Sequence, residues 1–333
     1  MNKNESIECK NKLLSTLKLF GEYDEANGLR KKVLLVEGAT DKKFIERVKG
    51  SDTRCIAVAD FMKTEAAFST SQSTSPMQFN SKEIILMILK DISFYPECFN
   101  FPKGAEKWPL YGLVDNDFDK SADYSRTTKL FFTDTHDLET MMMATDSELF
   151  SKLKMCSINN DEVKEALYIA SQMAALRKAI KKNRTFKVST ISESDGTIAF
   201  DAFTDGNKIN LNKFLEYIND KLEIYLTQDK LRKVRADILK DLKKQLDKDG
   251  VWKKSIESFS VTFDSDFWMD VNGHDIFSAI CYINPKIKEV FSNRKNRKLN
   301  RDFEFALISA YDYNCLKITK LNVKLQEAGI LKK

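Results

Sequence analysis

Glycine and proline are scarce in this chain, 11 and 5 of its 333 residues, well below average usage. So few turn-formers argue against many short strands and for long elements in a helix-rich chain. Histidine is scarcer still, with 2 in all. The cysteines at positions 9, 55, 98, 156, 281 and 315 never take a CxxC spacing, so neither a structural zinc site nor a disulfide framework is expected. Long apolar runs are missing too: the longest, residues 84–89, is far too short to cross a bilayer. The opening stretch MNKNESIECKNKLL is charged and has no signal-peptide core. Together these absences predict a soluble protein of the reducing cytoplasm, with no membrane partner. No GxxxxGK[ST] occurs, and no two glycines lie within two residues of each other. The chain therefore carries no phosphate-cradling loop for ATP, and any ATP dependence has to come from a partner.

What is present is a core-forming share of apolar residues, 42%, and a formal net charge of +5. The charge is uneven. Residues 1–150 carry 20 basic and 24 acidic side chains, and residues 151–333 carry 34 and 25. An acidic half joined to a basic half fits a cation site beside a polyanion-binding surface. Solvated helix faces would give the same imbalance with no function attached.

Along the chain, Leu13, Leu14, Leu17 and Phe20 fall at helical spacing and predict one helix over residues 2–27. Residues 33–36 form a continuous apolar run, the mark of a strand covered on both faces. A helix follows over 41–49, capped by Thr40 or Asp41. Residues 55–59 read as a second strand, and 82–90 as a strongly apolar helix. LYGLV, residues 110–114, reads as a third strand, 129–132 as a fourth, and 134–143 as a helix. This alternation predicts an α/β fold with a Rossmann-like, mostly parallel sheet flanked by helices. After residue 150 the pattern turns amphipathic and basic, with helices over 160–182, 208–222, 228–248 and 302–326 and one strand at 185–191. Two domains are expected: 1–150, and a mainly helical, basic 151–333.

Three strand ends carry acids. Glu37 and Asp41 follow the first, Asp115, Asp117 and Asp119 the third, and Asp137 and Glu139 the fourth. Ligands bind open α/β sheets outside the carboxyl ends of the strands, and side chains two apart on extended backbone point the same way. Carboxylates gathered in one crevice stay ionised only with cations between them. Hard oxygen ligands suit Mg²⁺ or Mn²⁺, and two such ions beside a polyanion are the apparatus of phosphoryl-transfer chemistry. Each group alone has a plainer reading. Glu37 and Asp41 decorate a helix start, and His136-Asp137-Leu138-Glu139 makes a good helix cap. An EF-hand over 115–126 fails, because Lys120 and Arg126 stand where glycine and glutamate are required.

VEGATD after an apolar strand, then GLVDNDFD, resembles a TOPRIM domain. The added Asp41 and the later DLE resemble the TOPRIM nucleases of the overcoming-lysogenization-defect type, in particular their DUF4435 group, as does NGHDIFSAI at 272–280. The resemblance covers about residues 25–150 well and the remainder weakly. It implies that Glu37 is a metal ligand or general acid/base, that Asp115 and Asp117 hold metal, and that Asp41 and Glu139 complete a two-ion Mg²⁺ or Mn²⁺ site, with Asp137 a weaker match and Asp119 an outer ligand. The catalytic set it implies is Glu37, Asp115, Asp117 and Glu139. It further implies an anti-phage toxin effector beside an ABC-type ATPase, with tRNA as first target, DNA as second, and a homodimer as one assembly. The basic residue that steadies the transition state has no match; Lys42, Lys43 and His274 are candidates.

Residues 177–187 and 286–301 are basic clusters fit to contact backbone phosphates. In 228–248 acids are interspersed, so a solvated face is expected there. Without regular aromatic interleaving, sequence readout is not indicated. Two other classes compete with the nuclease: a non-catalytic partner or sensor subunit, and primase-like nucleotidyl transfer. The second lacks its zinc-ribbon cysteines. A lone His274 beside Asp275 reads first as a helix cap.

Overall fold

The computed structural model describes residues 3–29, 31–62, 81–94, 109–116, 129–153, 158–183, 197–222, 266–292 and 299–332, with single positions 236 and 240. Its contacts divide the chain into two units. The first joins Met1–Asp134 to Lys317–Lys333, and the second is Thr135–Leu316. The single boundary near 150 expected from composition is thus replaced by two crossings, and the segment after 316 returns to the first unit.

In the first unit, α1 (Lys3–Ala26), β1 (Lys32–Val36), α2 (Ala39–Val48), β2 (Thr53–Ala57), α3 (Ala59–Met62), α4 (Ser81–Phe94), β3 (Leu110–Val114) and β4 (Leu130–Phe132) follow in order. The strands form one parallel sheet in the order β2-β1-β3-β4. This is the parallel α/β sheet flanked by helices that the alternation predicts. Alternate residues serve opposite faces. Val33, Leu35, Ile56, Leu110 and Val114 join Leu13, Leu17, Ile84, Ile85 and Ile88 in one apolar cluster under α1 and α4. α2 packs on β1 and β2, burying Phe44 and Ile45. Each fully buried Leu or Ile contributes about 1.5–3 kcal/mol, so the acid-free run 84–89 anchors α4. Gly112, in mid-strand, lets α4 pack close: a Cβ there would lie 2.6 Å from Ile85 Cγ2 and 2.9 Å from Leu89 Cδ1.

The returning segment explains why the division falls where it does. The Asp134 carboxylate accepts the N–H groups of Lys320 and Leu321 at the start of the helix Lys320–Glu327, the end of a helix that favours an anion. Ile330 O accepts from Gly50 N–H at 2.8 Å and from the Thr53 hydroxyl at 3.1 Å. Leu321, Leu325 and Ile330 are buried.

In the second unit, the helix Asn160–Asn183 packs along the helix Gly273–Ile283. Phe277 stacks on Phe303 with centroids 4.4 Å apart. Two expectations need correction. Lys208–Ile209 pairs with Thr204–Asp205 as a short antiparallel strand, so the helix starts at Leu211. The long helix expected over 302–326 is three pieces, Leu299–Ala310, the 3₁₀ turn Cys315–Ile318 and Lys320–Glu327. The break is an Asx turn: the Asp312 side chain accepts Asn314 N–H at 2.9 Å, while Asp312 N–H donates to Asp146 at 3.0 Å. The strand read at 185–191 and the helix read at 228–248 lie outside the described residues, except positions 236 and 240. Among the described residues no helix is long and apolar enough to cross a membrane.

Candidate metal centre

The chain leaves β1 for β2 on one side and β3 for β4 on the other, so the switch point of the sheet lies between β1 and β3. Glu37 follows β1 there, and Asp115 follows β3. They meet: Asp115 N–H donates to Glu37 Oε1 at 2.9 Å. Neighbouring residues fix this junction. Ala59 N–H donates to Glu37 O at 3.1 Å, Asn116 N–H donates to the Thr133 hydroxyl at 3.0 Å, and Lys82 Nζ donates to Asp115 O at 2.7 Å.

Asp41 sits in the first turn of α2 and folds back, its Oδ2 accepting Gly38 N–H at 2.8 Å. Gly38, rather than Thr40 or Asp41, is the N-cap, in extended conformation with no side chain to cap with. Asp41 fills the return half of a capping box. The spacing of Glu37 and Asp41 thus has a local cause, and it leaves Glu37 just after β1 and Asp41 in the first turn of α2. Asp117 and Asp119 lie outside the described residues.

Asp137 and Glu139 belong to the second unit. Asp137 is the N-cap of α5 (Leu138–Thr145): its Oδ1 accepts Thr140 N–H at 2.8 Å, and Asp137 N–H donates to the Thr140 hydroxyl at 3.1 Å. Its Oδ2 accepts Gly273 N–H at 2.8 Å and lies 3.2 Å from His136 Nδ1. Burial pushes the Asp137 carboxyl upward, but His136 and the two N–H donors outweigh it and hold the group well below the usual carboxylate range. With both oxygens engaged and the side chain buried, Asp137 serves the fold, and the metal role expected for it is set aside. Glu139, also buried, is the second residue of α5, its Cβ packed against Gly273.

That contact accounts for NGHD. Asn272 caps the helix Gly273–Ile283 by accepting His274 N–H at 2.8 Å. Asp275 is fully buried in a two-pronged pair with Arg177, both contacts at 2.6 Å. His274 Nε2 is 3.5 Å from Glu304. Arg177 and Lys178 open the basic run 177–187, but they pair with Asp275 and Asp270, so these two cations are spent inside the protein rather than held for phosphate. Lys42, one candidate for steadying the transition state, lies 3.8 Å from Asp60 at the surface.

Lys82 is a basic residue at this junction that the sequence did not single out. It is 7% exposed, and its position as the second residue of an apolar helix gave no sign of an ammonium turned toward a strand end. Among the described residues no three His, Cys, Asp or Glu side chains gather as a metal-holding group. Glu37 and Asp115 do supply hard oxygen donors at the switch point, the donor chemistry that Mg²⁺ and Mn²⁺ select. Compared with known proteins, the chain matches no family model, no curated protein and no solved structure.

Proposed function

We propose that this chain is a Mg²⁺- or Mn²⁺-dependent phosphodiester hydrolase of TOPRIM type. The observation behind the reading is the contact of Glu37 Oε1 with Asp115 N–H, 2.9 Å apart, at the switch point of a parallel sheet. Two acids 78 positions apart in sequence thereby share the rim where α/β folds bind their ligands. Glu37, Asp41 and Asp115 form the described part of the site, all within the first unit. A divalent ion held there by Glu37 and Asp115 would supply activation of a water and stabilisation of the departing oxygen. The chain's own share is to hold the carboxylates: Glu37 fixed by Asp115 N–H, Asp41 by Gly38 N–H, and the β3 exit by Thr133 and Lys82.

The substrate proposed first is RNA, tRNA in particular, and the second is DNA. An ABC-type ATPase is the proposed partner, consistent with the missing ATP loop. The test incubates the pure chain with Mg²⁺ and separate pools of tRNA, single-stranded DNA and duplex DNA, beside E37A and E37Q. Cleavage of one pool by the wild type, reduced at least about 10²-fold in both variants at unchanged circular dichroism, is the expected result. Equal cleavage by E37Q sinks the reading. Binding weakens steeply with salt if phosphate contacts carry it.

A further inference from the structure

Lysine is among the residues least often buried, because taking an ammonium out of water is costly without compensating partners. Lys82 is nonetheless 7% exposed. It stands in the first turn of α4, the helix anchored by the run 84–89, so its backbone is fixed by the core rather than by the site. One of its three N–H bonds reaches Asp115 O at 2.7 Å.

The peptide units around Asp115 are therefore gripped from opposite charges. The N–H of Asp115 points at the carboxylate of Glu37, 2.9 Å away, and its C=O points at the ammonium of Lys82. The next N–H, that of Asn116, is taken by Thr133. With N–H, C=O and the following N–H all directed, the backbone leaving β3 has little freedom. The Asp115 carboxylate therefore projects from a fixed base.

We infer that Lys82 is the positioning residue of this centre: its ammonium sets the β3 exit so that Asp115 meets the ion held with Glu37. This rests on the metal-centre reading above, and it adds a residue outside the acidic set. Lys82 acts through the Asp115 carbonyl. Groups that orient metal ligands from behind change metal affinity about 10–100-fold when removed.

The experiment is a Mn²⁺ titration of the full chain by calorimetry, with thermal unfolding measured alongside, on wild type, K82M, K82Q and K82R. Expected are Mn²⁺ binding by the wild type, an affinity loss in K82M of about 10–100-fold, and substantial recovery in K82R, which restores a cationic donor. K82Q, which keeps an N–H donor without the charge, is expected between K82M and wild type. Wild-type affinity in a folded K82M overturns this inference alone. No Mn²⁺ binding by the wild type overturns the metal-centre reading and this inference with it. Failure of both K82M and K82Q to fold also overturns the inference, since Lys82 would then support the sheet rather than the centre.

Discussion

Gly273→Ala is the sharpest probe of how the second unit holds its acids. A Cβ at 273 would lie 2.5 Å from Glu139 Cβ, 3.1 Å from Asp137 Oδ1 and 3.3 Å from Glu139 Cγ. The first distance is shorter than any relaxed carbon contact, and its partner is a Cβ tied directly to the α5 backbone, so no side-chain rotation relieves it. One helix has to retreat. Forcing a methyl into a packed site costs about 1–3 kcal/mol. Retreat also stretches the Gly273 N–H bond to the buried Asp137 carboxylate, 2.8 Å in the native chain, and a hydrogen bond to a charged group is worth about 1.5–3 kcal/mol. The two terms overlap, since one movement relieves the first by incurring the second, so the net expectation is about 2–4 kcal/mol. Gly38→Ala is the control. A Cβ there meets nothing closer than 3.5 Å, and its φ of −131° suits any residue; the change should cost no more than about 1 kcal/mol, the loss of a favoured N-cap residue. Urea unfolding followed by tryptophan fluorescence measures both, with buried Trp268 reporting on the second unit: its carbonyl accepts His136 N–H beside Asp137. A G273A midpoint indistinguishable from wild type would refute the claimed close approach and, with it, the account of why glycine stands in NGHD.

Arg177→Met should destabilise the chain by about 3–5 kcal/mol by leaving the fully buried Asp275 carboxylate unpaired, while R177M/D275L should cost less; thermal unfolding of the three proteins decides, and equal losses for single and double variants would count against a desolvated pair. Because the folded Asp137 carboxyl titrates below its unfolded value, its contribution is fully present above about pH 4 and is lost as pH falls below that. D137N should therefore lower stability at neutral pH and flatten the acid limb of a stability-pH curve; parallel limbs would exclude the effect. Burial pushes the Cys55 thiol up to about 12, so iodoacetamide at pH 8 should leave Cys55 unmodified in the native protein and label it in urea, as read by mass spectrometry.

The sheet was legible because its signals are local. Each strand contains a short apolar run, β3 matches residues 110–114 end to end, β2 starts two residues earlier than the run read at 55–59, and the order of elements along the chain already implied parallel pairing. The meeting of Glu37 with Asp115 was legible at one remove, through the rule that ligands gather at strand ends. Distant partnerships were not. Nothing near Asp134 announces that it caps a helix starting at Lys320, and nothing near Arg177 announces Asp275. Such pairs depend on the finished fold, and a charge run in sequence looks alike whether its members face solvent or a buried acid. Lys82 escaped for the same reason: one cation at the head of an oily helix reads as solubility until the strand end it faces is known. Asp137 shows the converse, a carboxylate whose type and position fit a metal ligand but whose oxygens the backbone had already claimed.

The return of residues 317–332 to the sheet has a consequence for biosynthesis. Val48, Gly50 and Thr53 beside β2, and Asp134 just after β4 at the opposite edge, receive hydrogen-bond partners from Lys320, Leu321, Ile330 and Lys332, the last of these to leave the ribosome. At roughly 5–20 residues per second, the intervening stretch delays them by on the order of 10–40 s. During that interval the nascent sheet waits without these partners at either outer strand, so a chain stalled shortly before residue 317 would present chaperones and proteases with a half-closed domain rather than a finished one.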